Sequence, residues 1–170
     1  MAVDEYHRGL VRGEAHRSSG LIRRATRDGM LLNRLDEVQA IIERLAEGAE
    51  VAVIRVYDRR GTIVLSSDRT EVGERVSIAA APCAACHGVG GTEASPAREA
   101  VDVAPAGTDP DRRKEEVLRH LSVIENEPEC STGACHAGDV GQEVLGVLDV
   151  EMSMEPLEAA LSDARTQLLG

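Results

Sequence analysis

All four cysteines of this chain lie in two short motifs, and each motif ends in a histidine. The motifs are CAACH and CSTGACH, which contain Cys83, Cys86 and His87, and Cys130, Cys135 and His136. The C-x-x-C-H pattern is the attachment signature of c-type haem. Two thiols add across the vinyl groups on one edge of the porphyrin, and the histidine that follows is carried under the ring to bind the iron. The first motif therefore predicts a covalent haem c with His87 as its proximal ligand.

The second motif has four residues between its cysteines instead of two. These residues are small (Ser, Thr, Gly and Ala), so they can bulge outward while both thiols reach the vinyl groups. The wider spacing resembles a variant used by some multihaem cytochromes c. We therefore predict a second haem c, attached through Cys130 and Cys135, with His136 as its proximal ligand.

Three other chemical roles are open to these cysteines and histidines: a zinc site, local disulfides and a redox dithiol. Four cysteines and two histidines can ligate zinc, but structural zinc sites do not usually place a histidine directly after a cysteine in both halves. Two local disulfides, or a redox dithiol at C-x-x-C, are also compatible with the cysteines. Neither of these alternatives explains the histidine after each pair.

The aromatic content is consistent with a large non-protein core. Phe and Trp are absent, and Tyr6 and Tyr57 are the two tyrosines of the 170 residues. Aromatic side chains normally supply large blocks of apolar area to a core. Two haems would replace that area, although a coding bias toward alanine accounts for the composition equally well.

Charge and hydropathy exclude two further classes of protein. The chain has 30 acidic and 19 basic side chains, a net charge of −11, and so lacks the basic face of a nucleic-acid-binding protein. It has no run of about 18 apolar residues that would span a bilayer. The polar start MAVDEYHRGLVRGE is not a secretory signal. Because haem c is attached outside the cytoplasm, we expect the chain to be a mature or excised part of a longer protein.

Periodicity predicts a single α+β domain over residues 1–170. Residues 4–47 are predicted as helix, either one long helix or two, with a stripe formed by Leu31, Leu35, Val38, Ile42 and Leu45. Possible breaks are Gly13, Ser18, Ser19 and Gly20.

The sheet core is predicted over residues 50–152. Its strands are 51–58, 62–67, 117–124 and 143–152, and the last is nearly continuously apolar and therefore predicted to be central. Residues 88–116 are predicted as a long loop with a short helix near 96–102, capped by Ser95. A C-terminal helix is predicted over 154–168, with Ser153 as its N-cap.

The sixth position of each iron needs a separate ligand. The candidates are His7, His16, His120, Met30, Met152 and Met154. We favour His16 and Met30, since fourteen residues place them about four turns apart on one side of the long helix. His120 is the reserve, and a vacant sixth position would bind a diatomic gas. Histidine ligation gives a lower reduction potential than methionine ligation.

Several stretches together resemble the extracytoplasmic haem c sensor domains of bacterial sensor histidine kinases and chemoreceptors. They are GMLLNRLDEVQAIIERL, VIRVYDRRGTIVLSSDRTEVGERV, the two haem motifs and VLGVLDVEMSMEPL. The resemblance implies a PAS/Cache-like fold with an antiparallel sheet of about four to five strands. It also implies a periplasmic location between two transmembrane helices. The long insertion at 88–116 departs from the family pattern.

The main functional prediction is a non-enzymatic sensor of redox state or of a small gas, such as nitric oxide. The alternative is a dihaem cytochrome that carries electrons in the periplasm, and a multihaem reductase is a distant third. The amphipathic stripes at 31–45 and 157–168 predict a homodimer through the first helix, because one sheet face cannot bury both completely. The full-length protein is expected to be tethered to the membrane.

Overall fold

The described part of the chain consists of helices on one face of an antiparallel sheet. The computed structural model describes residues 2–48, 50–77, 83, 99–105, 116–128, 143–155 and 159. Helix α1 spans Ala2–Leu31 and α2 spans Leu35–Ala46. The strands are β1 (Val51–Asp58), β2 (Ile63–Ser66), β3 (Glu99–Pro105), β4 (Glu116–Glu125) and β5 (Val144–Ser153), and a short 3₁₀ helix spans Arg69–Glu71.

The sheet has the strand order β2-β1-β5-β4-β3, and all neighbouring strands are antiparallel. β5 is therefore central, as its nearly continuous apolar sequence predicted. In the middle of the sheet Val150 lies opposite Ile54 on one side and His120 on the other. A central strand is covered on both faces, which is why it lacks the alternation of a half-exposed strand.

β3 corrects the prediction for the segment that precedes β4. Residues 99–105 were predicted to belong to a loop with a short helix, whereas they pair with β4 along their whole length. The alternation of Val101 and Val103 with Asp102 is a strand pattern, and Pro105 is compatible with an edge strand, where one side of the backbone has no ladder partner. The rest of the predicted loop, 88–98 and 106–115, lies outside the described residues.

The predicted helix 4–47 is two helices, with the break at residues 32–34. Asn33 has φ = 54°, the left-handed conformation that ends a helix. The residues predicted as possible breaks lie inside α1: Gly13, Ser18, Ser19 and Gly20. Ser19 is buried there, with its hydroxyl 3.5 Å from that of Ser122 on β4. Packing of Ser19 against β4 thus helps to keep this part of the chain helical.

The apolar core lies between the helices and one face of the sheet. Its buried members are Ala15 and Ile22 of α1, Val38 and Ile42 of α2, and Ile54, Val56, Leu65, Leu118, Leu148, Val150 and Met152 of the sheet. Within the predicted stripe Val38 and Ile42 are fully buried, but Leu35 and Leu45 are 46% and 39% exposed. In the described part of the chain the stripe is therefore only partly covered.

The predicted C-terminal helix, 154–168, lies largely outside the described residues. At its start the backbone N–H of Glu155 donates to Ser153 Oγ at 3.2 Å, the contact expected of an N-cap serine. None of the helices described here is long and apolar enough to cross a membrane.

Candidate functional site

The second haem motif is inserted between two inner strands of the sheet. β4 and β5 pair from Val117↔Ser153 to Glu125↔Val144, so the chain leaves and re-enters the sheet at one end. At this end Glu127 accepts from Arg27 Nη2 at 2.6 Å and from Arg27 Nε at 3.1 Å. The residues around Arg27 of α1 therefore lie beside the chain that leads into the motif.

The residues predicted to attach and ligate haem are mostly outside the part of the chain that the structure describes. Cys83 is described, and its side chain is half-buried. The others lie outside it: Cys86, His87, Cys130, Cys135 and His136. Haem attachment and proximal ligation by these residues stay predictions, and they depend on the donor types and their spacing.

Two of the predicted distal ligands, His16 and His120, meet between α1 and β4. Their ring centroids are 5.8 Å apart, and the ring planes are inclined at 64°. Glu99 of β3 completes the group, with its Oε2 3.2 Å from His16 Nδ1. One donor atom from each of the three side chains lies within 4.8 Å of the other two. Three separate elements thus bring two imidazoles and a carboxylate to one point.

His120 is the buried member of this group. It is 1% exposed, and among the described residues neither of its ring nitrogens has a hydrogen-bond partner. Burial lowers the pKa of His120, so its imidazole is neutral at neutral pH and keeps a lone pair on one nitrogen. A buried imidazole without a partner costs free energy unless something binds it.

A cavity of about 260 Å³ adjoins His16 and Glu99. Its other lining residues are Arg17, Ser19, Gly20, Arg23, Arg24 and Ser122. The cavity is smaller than the roughly 300–1,000 Å³ pockets that hold drug-sized ligands, and a porphyrin does not fit in it. The described residues here therefore suit a small ion with a few water molecules or a small anion.

Met30, the third predicted distal ligand, lies elsewhere on α1. Its side chain is partly buried and packs against the apolar core. It is one helical turn beyond Arg27, and therefore near the end of the sheet where the second haem motif is inserted. The structure thus groups His16 with His120 and places Met30 one helical turn from Arg27, which contacts Glu127 after the end of β4.

The opposite face of the sheet carries a cluster of buried charges that the sequence analysis did not identify. Arg55 donates to both carboxylate oxygens of Glu71, at 2.6 and 2.7 Å, and to Glu151 at 2.8 Å. Arg119 donates to Glu151 and lies 3.4 Å from Asp149. Four of the side chains, Arg55, Arg119, Asp149 and Glu151, alternate with the core residues along β1, β4 and β5, so they face away from α1 and α2. The fifth, Glu71, reaches them from the 3₁₀ helix.

The pKa values in this cluster follow from burial and from mutual attraction. Burial would lower the pKa of Arg55, but Glu71, Glu151 and Asp149 together raise it, so this guanidinium stays charged. Burial raises the pKa of Asp149 to about 6 despite the two arginines. The pKa of Glu151 is lowered, since its attraction to Arg55 and Arg119 outweighs burial. Of these two carboxyls, Asp149 is therefore the one that takes up a proton more readily.

A signal for this cluster is present in the sequence. Charged residues interrupt the apolar strands at alternate positions: Arg55 in VAVIRVYD, Arg119 in EVLRHLSVIE, and Asp149 and Glu151 in VLGVLDVEMS. Opposite charges at alternate positions of neighbouring strands indicate a paired inner face. Which charged residues pair with one another depends on the order of the strands in the sheet, and the sequence pattern did not predict that order.

Comparison with known proteins identifies the fold. No protein-family model and no curated protein sequence matches the chain. The crystal structure of the DcuS sensor domain of Escherichia coli is similar at a TM-score of 0.57 and 14% identity, over 89% of this chain and 96% of that one. A methyl-accepting chemotaxis protein from Vibrio parahaemolyticus is similar at a TM-score of 0.53 and 9% identity, over 92% of this chain and 99% of that one.

This chain has the fold of those two proteins. The predicted α+β, PAS/Cache-like architecture is therefore confirmed at the level of the fold. Both matches cover nearly the whole of the other chain, so the similarity extends over a complete domain rather than over a shared helix or hairpin.

Proposed function

We propose that this chain is the extracytoplasmic sensor domain of a membrane signalling protein, that it carries two covalent haems c, and that it detects redox state or a small gas. The observation that carries the proposal is the presence of CAACH and CSTGACH in a fold shared with the DcuS sensor domain. The domain itself is proposed to have no enzymatic activity.

The position of the second motif supports a relay through the sheet to α1. The motif joins β4 to β5, and α1 packs on both strands. A ligand change at the second haem would thus act on the two strands that carry α1. A shift of a terminal helix between two packed arrangements is a common form of signalling transition.

The donor types at the motifs fit haem c. When bound, the haem supplies an iron that changes oxidation state or binds a diatomic gas. The chain's own contribution is to hold the group through Cys83, Cys86, Cys130 and Cys135, and to place an imidazole from His87 or His136 on one side of each iron.

An electron carrier is the alternative that uses the same motifs. Small dihaem carriers tend to wrap haem with short helices and little sheet, whereas this chain has five paired strands beneath two helices. The sheet therefore favours the sensor. The full-length gene separates the two, because a sensor requires membrane segments on both sides and a downstream signalling region, and a carrier requires neither.

Covalent haem is tested on protein produced in a strain that matures cytochromes c. We expect the protein to stay red after acid–acetone extraction, and its intact mass to exceed that of the apoprotein by two haems. Extractable haem, zinc in place of haem, or no cofactor would contradict the proposal. Replacement of Cys130 and Cys135 by Ala should remove one haem and leave the other.

Met30 is proposed as the distal ligand of the second haem. If Met30 binds the ferric iron, a weak far-red absorption band is present in the wild type and absent from Met30→Ala. Met154→Ala is the matched control, since Met154 is also partly buried against the apolar core. A far-red band that survives in Met30→Ala, or that is lost equally in Met154→Ala, would show that Met30 is not the ligand.

A further inference from the structure

The group formed by His16, Glu99 and His120 has the composition of a metal site. Two imidazoles and one carboxylate are the protein ligands of many zinc sites that keep a fourth position open. The three side chains come from α1, β3 and β4, and their donor atoms already lie within 4.8 Å of one another. His120 supplies a second observation, because it is buried and has no hydrogen-bond partner in the described part of the chain.

We propose that His16, Glu99 and His120 bind one Zn²⁺ ion at a site separate from the haems. His120 is held in the core and fixes the position of the ion. The side chains of His16 and Glu99 are 63% and 45% exposed, so they can adjust around it. Tetrahedral zinc brings its ligand atoms to about 3.3–3.5 Å from one another, which requires these two side chains to move by about 1 Å.

The cavity beside the group determines what completes the coordination. Arg17, Arg23 and Arg24 line it together with His16 and Glu99. Two neutral imidazoles and one carboxylate leave a net charge of about +1 on a zinc site. With three guanidinium groups nearby, the fourth position favours an anion, or a water molecule that has lost a proton.

Binding of the ion would connect α1 to the sheet at a second point. Toward the C-terminal end of α1, Arg27 pairs with Glu127. Nearer the middle of α1, His16 would be joined through the metal to Glu99 of β3 and His120 of β4. Because α1 is the helix through which the proposed signal passes, the ion would set how firmly that helix is held.

The test uses the haem-loaded chain after dialysis against a chelator. We expect isothermal titration with zinc sulfate to show one site per chain, and thermal unfolding to move to a higher temperature with zinc. His16→Gln and Glu99→Gln should each weaken zinc binding by more than about 100-fold. Loss of a residue that only supports a ligand weakens metal binding by up to about 100-fold, so a larger loss indicates a direct ligand. Both residues are exposed, so these substitutions leave the core intact.

Glu127→Gln is the matched control, since Glu127 is also an exposed glutamate that pairs with α1. It should bind zinc as the wild type does. Absence of zinc binding in the wild type would overturn the proposal. So would equal binding by His16→Gln and Glu99→Gln, because the zinc would then lie elsewhere, for example on the cysteines.

Haem absorption provides an independent readout. If His16 or His120 binds haem iron, His16→Gln or His120→Gln changes the Soret band in the absence of zinc, and the proposal is overturned. If neither variant changes it and zinc binding is lost, the site is separate from the haems. The zinc result can also be interpreted if the protein carries no haem. Any zinc bound by the cysteines would be the same in every variant, so a difference between variants comes from the site at His16, Glu99 and His120.

Discussion

At the scale of single residues, the least usual feature is the charge cluster on the sheet face away from the helices. Arg55 and Asp149 are 1% and 0% exposed, and in this cluster two guanidinium groups meet three carboxyls. Full ionisation leaves an excess negative charge in a buried place, which is costly. Protonation of Asp149 removes that excess and leaves the cluster neutral.

Asp149→Asn is expected to change the pH dependence of stability. Burial raises the pKa of Asp149 to about 6, above its value in the unfolded chain, so the folded state holds this proton more tightly. Its contribution is therefore present at low pH and lost as the pH rises through 6. Relative to the wild type, Asp149→Asn should gain on the order of 1–3 kcal/mol between pH 4.5 and 8.

Urea unfolding at several pH values measures this difference. The variant and the wild type should have similar free energies of unfolding at the acidic end and should diverge above it. Parallel profiles across the whole range would show that Asp149 does not take up the proton. Asp58→Asn is the control, because Asp58 is only partly buried and its carboxylate accepts from turn backbone amides outside the cluster.

At the scale of elements, the junction of α1 with α2 decides how the helices cover the sheet. The chain turns at Asn33, and α2 then packs back so that Val38 approaches Gly29 closely. A Cβ at Gly29 would lie 2.6 Å from Val38 Cγ2. Glycine at this position therefore allows the two helices their close contact.

Gly29→Ala is expected to destabilise the fold. Val38 is fully buried and cannot move aside, so the two helices must separate, at a cost of roughly 1–3 kcal/mol. Gly13→Ala is the matched control on the same helix, because its added Cβ would meet only the end of the Arg17 side chain, at 3.8 Å. That control should gain about 0.5–1 kcal/mol from helix propensity.

Thermal unfolding monitored by circular dichroism distinguishes these two outcomes. Opposite shifts of the midpoint, downward for Gly29→Ala and upward for Gly13→Ala, are the expected result. A Gly29→Ala protein as stable as Gly13→Ala would mean that the α1–α2 contact is looser than the structure shows.

At the scale of the whole molecule, a few large apolar side chains near the junction of α1 and α2 are exposed and available to a partner. Leu21 on α1 and Leu32, directly after the end of α1, are each 61% exposed. Leu35 adds a further exposed leucine at the start of α2. A second copy of the same chain would cover these leucines through an isologous contact.

We expect a homodimer through α1, with a molar mass of two chains by light scattering at tens of micromolar. Leu21→Glu combined with Leu32→Glu should shift the protein to a monomer, because charged side chains cannot be buried without partners. Val64→Glu is the control, as Val64 is 42% exposed on the edge strand β2. A wild type that stays monomeric at several hundred micromolar would contradict this assembly.

Local patterns in the sequence were sufficient to predict most of the elements. The amphipathic run around Val38 and Ile42 predicted a helix, and the β-branched residues of 51–58 predicted a strand. The apolar run of 143–152 predicted a central strand. The structure contains all three elements. These features depend on side chains a few positions apart, so their spacing is visible in the sequence. The two predicted haem motifs are equally local, because that prediction depends only on the spacing of thiols and imidazole.

Tertiary structure alone decided the features that join distant parts of the chain. β3 pairs with β4 along its whole length, and the short alternation of Val101 and Val103 was too brief to predict this strand from the sequence. His16, Glu99 and His120 meet because α1 lies along β4, and Arg55 meets Asp149 across 94 positions because β1 pairs with β5. In each case the interacting groups are far apart in sequence, and their contact exists only once the strand order and helix packing are established.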